Sequence, residues 1–367
     1  SEPIFQHERY DLAGASYSKK RKVLTAAIYT GKKTQLHFFD DVSEKRYADL
    51  QEKLPGYEVM PVSMDDAETM AVVRTYSDRS RGSYYLYDFD SKALTKLADV
   101  SPWIEEDDMA EMKPIEYRSR DGLLIEGYLT VPKGVEAKNL PVVVNPHGGP
   151  WARDSWGFNG ETQFLANRGY AVLQVNFRGS TGYGRDFWEK SFNQWGLDMQ
   201  DDITWGVYHL INEGIADEDR IAIYGGSYGG YATLAGVTFT PELYRCGIDY
   251  VGVSNLFTFM ESIPPYWKPL LDMMYEMVGD PTDPKHKARL TATSPVFHAH
   301  MIRCPMLVAQ GANDPRVNID ESDQIVEALK ENEIPVKYIV KDDEGHGFRN
   351  EENRFEFYRE MEAFLNK

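Results

Sequence analysis

Cysteine is scarce in this sequence, and the scarcity excludes two classes of protein. Only Cys246 and Cys304 occur among the 367 residues. A disulfide framework or a cysteine-rich zinc module needs more cysteines at short spacings, so both are excluded. Each cysteine directly precedes an apolar run, which is typical of a thiol buried at the start of a β-strand. A single disulfide or a reactive thiol is the alternative.

Long apolar runs and basic residues are also few. No stretch of 18 apolar residues exists, so the sequence predicts no membrane span, and no signal peptide is visible. The 40 Lys+Arg against 58 Asp+Glu give a formal net charge of −18. Such an acidic chain repels phosphate backbones, which excludes nucleic acid as a main partner. We expect a soluble protein, in the cytoplasm rather than in the periplasm or outside the cell.

Motifs for a metal or a cofactor are lacking as well. His286, His298 and His300 have no partnering carboxylate or cysteine at ligand spacing. The glycine-rich stretch 179–184 lacks the Lys-Ser/Thr ending of a phosphate loop. The sequence therefore predicts neither a metal nor a cofactor.

The aromatic content is high. Within a first predicted region, residues 1–113, residues 1 to about 100 show short strand patterns with no convincing helix. Residues 23–29 and 35–39 flank one turn, and residues 70–76 and 84–89 flank another. The second pair follows the first at a shift of about 49 residues, a period typical of β-propeller blades. We therefore predict a partial β-propeller of about two blades, followed by an acidic linker. A small β-sandwich or meander is the alternative.

From residue 114 to residue 367 the pattern changes to α/β. Residues 115–120 and 124–131 form a predicted hairpin across an Asp-Gly turn. Helical periodicity follows near 199–213, 229–238, 320–332 and 350–366. These stretches alternate with short apolar runs, which predicts a mostly parallel, doubly wound sheet. The runs are 141–144, 171–175, 221–224, 247–251, 306–309 and 336–340.

A Gly-x-Ser-x-Gly pattern lies between a predicted strand and a predicted helix, at residues 225–230 (Gly-Gly-Ser-Tyr-Gly-Gly). This is the setting of a nucleophile elbow, in which a sharp turn lifts the Ser227 hydroxyl above the sheet. Gly225 and Gly229 leave room where a Cβ would strike neighbouring backbone. We predict that Ser227 is a nucleophile; an inert serine in a glycine-rich turn is the alternative.

A nucleophilic serine needs a base, and the base needs an orienting acid. The order expected for this fold is Ser, acid, His. Asp314 follows the run 306–309, and His346 follows the run 336–340 between two glycines. Asp342, Asp343 and Glu344 compete for the role of the acid. They adjoin His346 and would hardly reach its far ring nitrogen, so Asp314 is preferred.

The oxyanion that forms during acyl transfer needs backbone N–H donors. One is expected from Tyr228, directly after the nucleophile, and one from the loop after an early strand. Residues 147–150 (His-Gly-Gly-Pro) supply that loop, with Gly149 preferred over Gly148. His147 precedes the nucleophile in the chain and is interpreted as a residue that braces this loop. A tight loop without a catalytic contact is the alternative.

Several motifs in this order resemble the catalytic domain of the prolyl oligopeptidase family of serine peptidases. The resemblance covers some 250 of the 367 residues. It implies an α/β-hydrolase fold preceded by the end of a β-propeller, and within the family it is nearest to the acylaminoacyl-peptidase branch. The matching stretches are 147–150, 176–184, 195–202, 225–230, 311–316 and 345–347.

The resemblance also implies residues that contact the substrate. His147 stands where dipeptidyl peptidases carry an oxyanion tyrosine, which favours the backbone of Gly149 as donor. Arg316 would donate to a peptide carbonyl, with a surface ion pair as the alternative. Three aromatic residues would line an apolar pocket, with a plain core role as the alternative. These are Phe257, Phe259 and Trp267.

We therefore hypothesise a serine peptidase that cleaves short peptides, releasing acylated amino acids or dipeptides. A hydrolase of esters or thioesters and an inactive binding module are the alternatives. A hydrolase of about 250 residues leaves room for only two blades, while propellers close with roughly 4–8. The chain also begins at Ser1 without an initiator methionine. We predict a C-terminal piece of a longer protein, truncated or cleaved, whose partners are the missing propeller segment and, in a homo-oligomer, further copies.

Overall fold

The computed structural model describes residues 3–366, and its largest element is an eight-stranded sheet. The strand order is β15-β14-β13-β12-β10-β11-β9-β8. Neighbouring strands from β10 to β15 are parallel, whereas β9 is antiparallel to both β11 and β8. The strands are β8 (Met112–Arg118), β9 (Leu124–Thr130), β10 (Leu140–Val144), β11 (Ala171–Asn176), β12 (Ala216–Gly226), β13 (Cys246–Tyr250), β14 (Met306–Gly311) and β15 (Val336–Lys341).

Helices cover both faces of this sheet, because its strands are apolar on both sides. Helices α2 and α10 pack with Val143 and Val172 on one face, and α4, α5 and α9 pack with Val142 and Val144 on the other. This is the doubly wound α/β-hydrolase architecture. The helices are α2 (Gly160–Asn167), α3 (Arg185–Glu189), α4 (Asp198–Asn212), α5 (Tyr228–Phe239), α6 (Leu256–Glu261), α7 (Leu271–Met277), α8 (Pro284–Ala292), α9 (Ile319–Glu331) and α10 (Glu351–Leu365).

Two smaller antiparallel sheets precede this unit and form two blades of a partial β-propeller. The first has three strands in the order β1-β2-β3, and the second has four in the order β4-β5-β6-β7. In both sheets, strands that follow one another in the chain pair side by side. The four predicted strand runs correspond to β2, β3, β5 and β6, whereas the other three strands were not predicted. The strands are β1 (Leu12–Ser18), β2 (Val23–Thr30), β3 (Thr34–Phe38), β4 (Glu58–Met64), β5 (Met70–Tyr76), β6 (Ser83–Asp88) and β7 (Leu94–Asp99).

The expectation that residues 1 to about 100 hold no helix is wrong. Helix α1 (Asp41–Lys53) connects the two sheets. Its N-cap is Asp40, whose side chain accepts the Ser43 backbone N–H at 3.1 Å. Leu50 is its single buried residue, so an apolar stripe of helical period is missing from the sequence. Asp40 and Asp41 are the cap and the first residue of this helix.

The two cysteines lie at the starts of neighbouring strands, as predicted. Cys246 is half-buried at the start of β13, and Cys304 is buried two residues before β14. Both thiols are free, and burial raises the pKa of each to about 12. They pack on opposite faces of the large sheet. Within residues 3–366, no helix is both long and apolar enough to cross a membrane.

Candidate active site

Ser227 occupies a strained turn between the end of β12 and the start of α5. Its φ of 61° and ψ of −120° lie where side-chain-bearing residues are rare. Glycines make the turn possible: a Cβ on Gly225 would lie 2.4 Å from the Gly229 carbonyl oxygen. A Cβ on Gly229 would lie 2.2 Å from the Pro146 carbonyl oxygen. The local geometry is therefore that of the predicted elbow.

Backbone contacts hold the elbow against the adjacent strand and prepare the helix terminus. The Ser227 backbone N–H donates to the carbonyl of Tyr250 at 2.9 Å, and the Ser227 carbonyl accepts the Tyr231 N–H at 3.0 Å. Tyr228 lies in the first turn of α5, so its backbone N–H has no acceptor within the helix. A partial positive charge accumulates at such a terminus and favours an anion there.

Asp314 and His346 meet on neighbouring loops at the carboxyl ends of β14 and β15. The Asp314 Oδ2 lies 2.7 Å from the His346 Nδ1. The Asp314 side chain is fully buried, whereas that of His346 is 16% exposed. The other oxygen, Oδ1, accepts the backbone N–H groups of Arg316 and Val317 at 2.8 and 3.0 Å. These bonds fix the carboxylate and leave one oxygen directed at the imidazole.

The three acids beside His346 in sequence point elsewhere. The Glu344 carboxylate accepts the N–H groups of Arg349 and Asn350, both at 2.8 Å. Burial acts to raise the pKa of Glu344, but these bonds outweigh it and the pKa stays below its usual value. Asp343 accepts from the Asn350 amide at 3.1 Å, and Asp342 is exposed. Glu344 therefore holds the shape of the loop that presents His346, a role that sequence reasoning missed.

Tyr250 connects the serine turn with the histidine loop. Its carbonyl accepts the Ser227 N–H, and its hydroxyl accepts the Phe348 N–H. A Cβ on Gly347 would lie 3.6 Å from the same hydroxyl. Within residues 3–366 the Ser227 hydroxyl has no hydrogen bond to His346; hydrogen bonds between catalytic groups often tighten only when substrate is bound.

The predicted oxyanion loop packs directly on the serine turn. A Cβ on Gly148 would lie 3.0 Å from the Gly226 carbonyl oxygen and 3.4 Å from the Ser227 Cβ. Gly149 has a φ of +128°, and a Cβ there would lie 2.8 Å from the Trp151 nitrogen. Only glycine fits so close an approach.

His147 braces this loop, as the sequence indicates. Its Nε2 lies 3.0 Å from the Ser180 hydroxyl, and its Nδ1 lies 2.8 Å from the Gly148 carbonyl. The ring stacks on Phe177 with centroids 4.4 Å apart. Burial lowers the pKa of His147 to about 4, so the ring is neutral at pH 7. A neutral imidazole with both nitrogens engaged supports the loop and is poorly placed to act as a base.

The residues predicted to contact substrate lie in different environments. Arg316 is exposed, and its guanidinium makes no ion pair within the part of the chain that the structure describes. Phe257 and Trp267 are half-buried at the edge of the core. Phe259 is buried and stacks on Trp195 at 6.0 Å, and Trp195 contacts Tyr228 at 4.6 Å. The pocket role of these aromatic residues stays a prediction.

The histidines outside this site serve local structure. His286 accepts the Asp280 N–H at 2.8 Å, and His298 lies 3.1 Å from the Thr291 carbonyl. Among the described residues, no three His, Cys, Asp or Glu side chains are grouped as metal ligands.

Comparison with known proteins identifies the family of this chain. Residues 156–367, more than half of the chain, match the model of the prolyl oligopeptidase family. The chain belongs to this family. The dipeptidyl aminopeptidase BIII of Pseudoxanthomonas mexicana is 47% identical over 289 residues, which cover 77% of this chain and 42% of that protein. Dipeptidyl peptidase family member 6 of Caenorhabditis elegans is 35% identical, and the match covers 99% of this chain and 52% of that protein.

Two solved structures show the same fold. A puromycin-hydrolyzing peptidase of Mycobacterium tuberculosis is 25% identical, with a TM-score of 0.81 over 99% of this chain and 55% of that one. The Pyrococcus horikoshii acylaminoacyl peptidase is 24% identical, with a TM-score of 0.76 over 98% of this chain and 56% of that one. The predicted family and fold are thereby confirmed. The chain spans about half the length of the relatives that it matches.

Proposed function

We propose that this chain carries the catalytic machinery of a serine peptidase that hydrolyses short peptides through an acyl-enzyme. The observation that carries the proposal is the 2.7 Å contact between the buried Asp314 and His346, on a loop that Tyr250 connects to the strained turn carrying the half-buried Ser227. In this reading Ser227 is the nucleophile, His346 the general acid and base, and Asp314 the group that orients the imidazole.

The proposed reaction has two stages. The Ser227 oxygen attacks the peptide carbonyl while its proton passes to Nε2 of His346, and Asp314 stabilises the resulting imidazolium. The tetrahedral oxyanion accepts hydrogen bonds from the N–H groups of Tyr228 and Gly149. His346 then returns the proton to the leaving amine as the C–N bond breaks. A water molecule, activated by His346, hydrolyses the ester on Ser227 and releases the acid.

Substrate selection falls to groups around this centre. The exposed Arg316 guanidinium, two residues after the acid, is suited to donate to a carbonyl of the bound peptide. Phe257, Phe259 and Trp267 are proposed to line the pocket for the residue before the scissile bond. The names of the relatives favour release of a dipeptide or of an acylated amino acid.

We further propose that residues 114–367 form the catalytic domain and that residues 1–113 are propeller and linker. The relatives are about twice as long as this chain, which supports the proposal that additional propeller blades pack against the two described here. Two free thiols suit a reducing compartment, which supports a cytoplasmic location. Sedimentation of the natural protein tests the predicted homo-oligomer.

Labelling with a fluorophosphonate probe tests the proposed nucleophile. Wild type should be labelled, and Ser227→Ala should not, because the probe phosphonylates only an activated serine. Ser63→Ala, at an exposed strand position, is the matched control and should be labelled like wild type. Full labelling of Ser227→Ala would refute the assignment.

The substrate class is tested with paired chromogenic compounds. We expect turnover of aminoacyl or dipeptidyl p-nitroanilides, and comparison of N-terminally blocked with free-amine forms distinguishes the two releasing activities. Turnover of p-nitrophenyl esters without any anilide turnover would instead favour an esterase. Absence of labelling and of turnover for both would favour a binding module.

A further inference from the structure

The turn between β2 and β3 contacts the large sheet's unit through Arg153. The Arg153 guanidinium donates to the carbonyl oxygens of Thr30 and Gly31 at 2.9 and 3.2 Å. It also donates to the Tyr183 hydroxyl at 3.0 Å and lies 4.6 Å from the centroid of the same ring. A single side chain thus joins the first N-terminal sheet to the loop after β11.

Two neighbouring contacts strengthen this junction. The Lys33 ammonium lies 3.4 Å from the centroid of the Trp156 ring, an arrangement that favours a cation–π interaction. The Tyr128 hydroxyl donates to the carbonyl of Lys32 at 3.1 Å. The β2–β3 turn therefore contacts the segment after Gly149 at two positions, and it contacts the strand β9 beside it.

Direct packing connects Arg153 with the oxyanion loop. A Cβ on Gly149 would lie 3.1 Å from both the backbone nitrogen and the Cβ of Ala152, so the chain folds back on itself there. The Ala152 carbonyl accepts the Thr181 N–H at 2.8 Å. Gly148 in turn packs on the Ser227 side chain. Because close-packed atoms transmit displacements, a shift at Arg153 moves Gly149 relative to Ser227.

We propose that Arg153 is a positioning residue: by binding the β2–β3 turn it holds the oxyanion loop where the Gly149 N–H meets the carbonyl that Ser227 attacks. The N-terminal sheet thereby affects the rate of the chemical step. The fork of guanidinium N–H groups matters, because it reaches acceptors on two elements at once, which a lysine ammonium does less well. The proposal rests on the proposed peptidase function.

Steady-state kinetics of the natural protein test this role. Arg153→Met should lower kcat about tenfold or more and change KM less than about threefold, because a misplaced oxyanion donor weakens transition-state binding more than substrate binding. The kcat of Arg153→Lys should lie between the kcat values of Arg153→Met and wild type. Arg168→Met is the matched control: it breaks the 3.1 Å ion pair between α2 and α10, away from the oxyanion loop, and its kcat should equal that of wild type.

Rates are expressed per active site titrated with fluorophosphonate, so that unfolded protein does not count. A peptide aldehyde, which forms an oxyanion on the serine, should lose affinity for Arg153→Met by the same factor as kcat falls. Unchanged kcat in Arg153→Met, a change in KM alone, or an equal loss in Arg168→Met would overturn the proposal. An inactive wild type would overturn the proposed function itself, before any variant is compared.

Discussion

Asp249→Asn should stabilise the protein at pH 8 much more than at pH 5. Asp249 lies on β13 beneath the start of α5, fully buried, and neither of its carboxyl oxygens has a hydrogen-bond partner within residues 3–366. A Cβ on Gly230 or Gly252 would lie 2.4 or 2.1 Å from its Oδ1, so both glycines leave space for this carboxyl. Burial raises the pKa of Asp249 to about 7; the nearby Gly252 backbone N–H acts to lower it and the Glu321 carboxylate to raise it, and burial is the largest effect.

The sign and size of the effect follow from proton linkage. The pKa of Asp249 is 3.8 before folding and about 7 after it, so the unfolded chain loses this proton first as the pH rises. The free energy of unfolding therefore falls between these two values and levels off above the second. At ~1.4 kcal/mol for each tenfold change in proton affinity, the loss between pH 5 and pH 8 is about 3 kcal/mol. Asparagine has the same shape and no proton to lose.

Thermal unfolding at both pH values measures this difference. The gap in Tm between Asp249→Asn and wild type should widen by about 5 °C from pH 5 to pH 8, at roughly 2 °C per kcal/mol for a chain of this size. Asp272→Asn, at an exposed position on α7, is the control and should show no such widening. An equal effect at both pH values would mean that Asp249 is ionised or hydrogen-bonded in the folded protein, and would refute the reasoning.

Two further predictions concern the site directly. Asp314→Asn should lower kcat roughly 10³–10⁴-fold with little change in KM, because an amide no longer selects the His346 tautomer that accepts the serine proton. Turnover of a p-nitroanilide measures kcat and KM. A fall in kcat of less than tenfold would contradict the role of Asp314. Gly229→Ala should destabilise the protein by ~1–3 kcal/mol or more, because the new Cβ would overlap the Pro146 carbonyl. Gly160→Ala is the control and should not destabilise it, because no atom lies within 4 Å of its new Cβ. Equal Tm values for the two variants would contradict this prediction.

Local signals in the sequence were sufficient for much of the fold. The four strand runs predicted for the N-terminal sheets and the apolar runs predicted for the large sheet all correspond to strands of the structure, although three N-terminal strands were not predicted. Ser227 is recognisable because a strand, a sharp turn and a helix follow one another within a few residues. Helix α1 was not predicted because it buries a single residue, so its sequence has an N-cap but no apolar stripe of helical period.

Other features depend on residues that are distant in the chain, and only the tertiary structure decided them. Four acids lie near enough in sequence order to serve His346, and the contact of Asp314 depends on how β14 and β15 place their loops side by side. The link between Arg153 and Thr30 joins positions more than a hundred residues apart. Sequence patterns determined which chemistry this chain can carry, because that chemistry needs particular residues in particular turns. Tertiary packing decided which groups meet, because hydrogen bonds and burial depend on distances that no local pattern specifies.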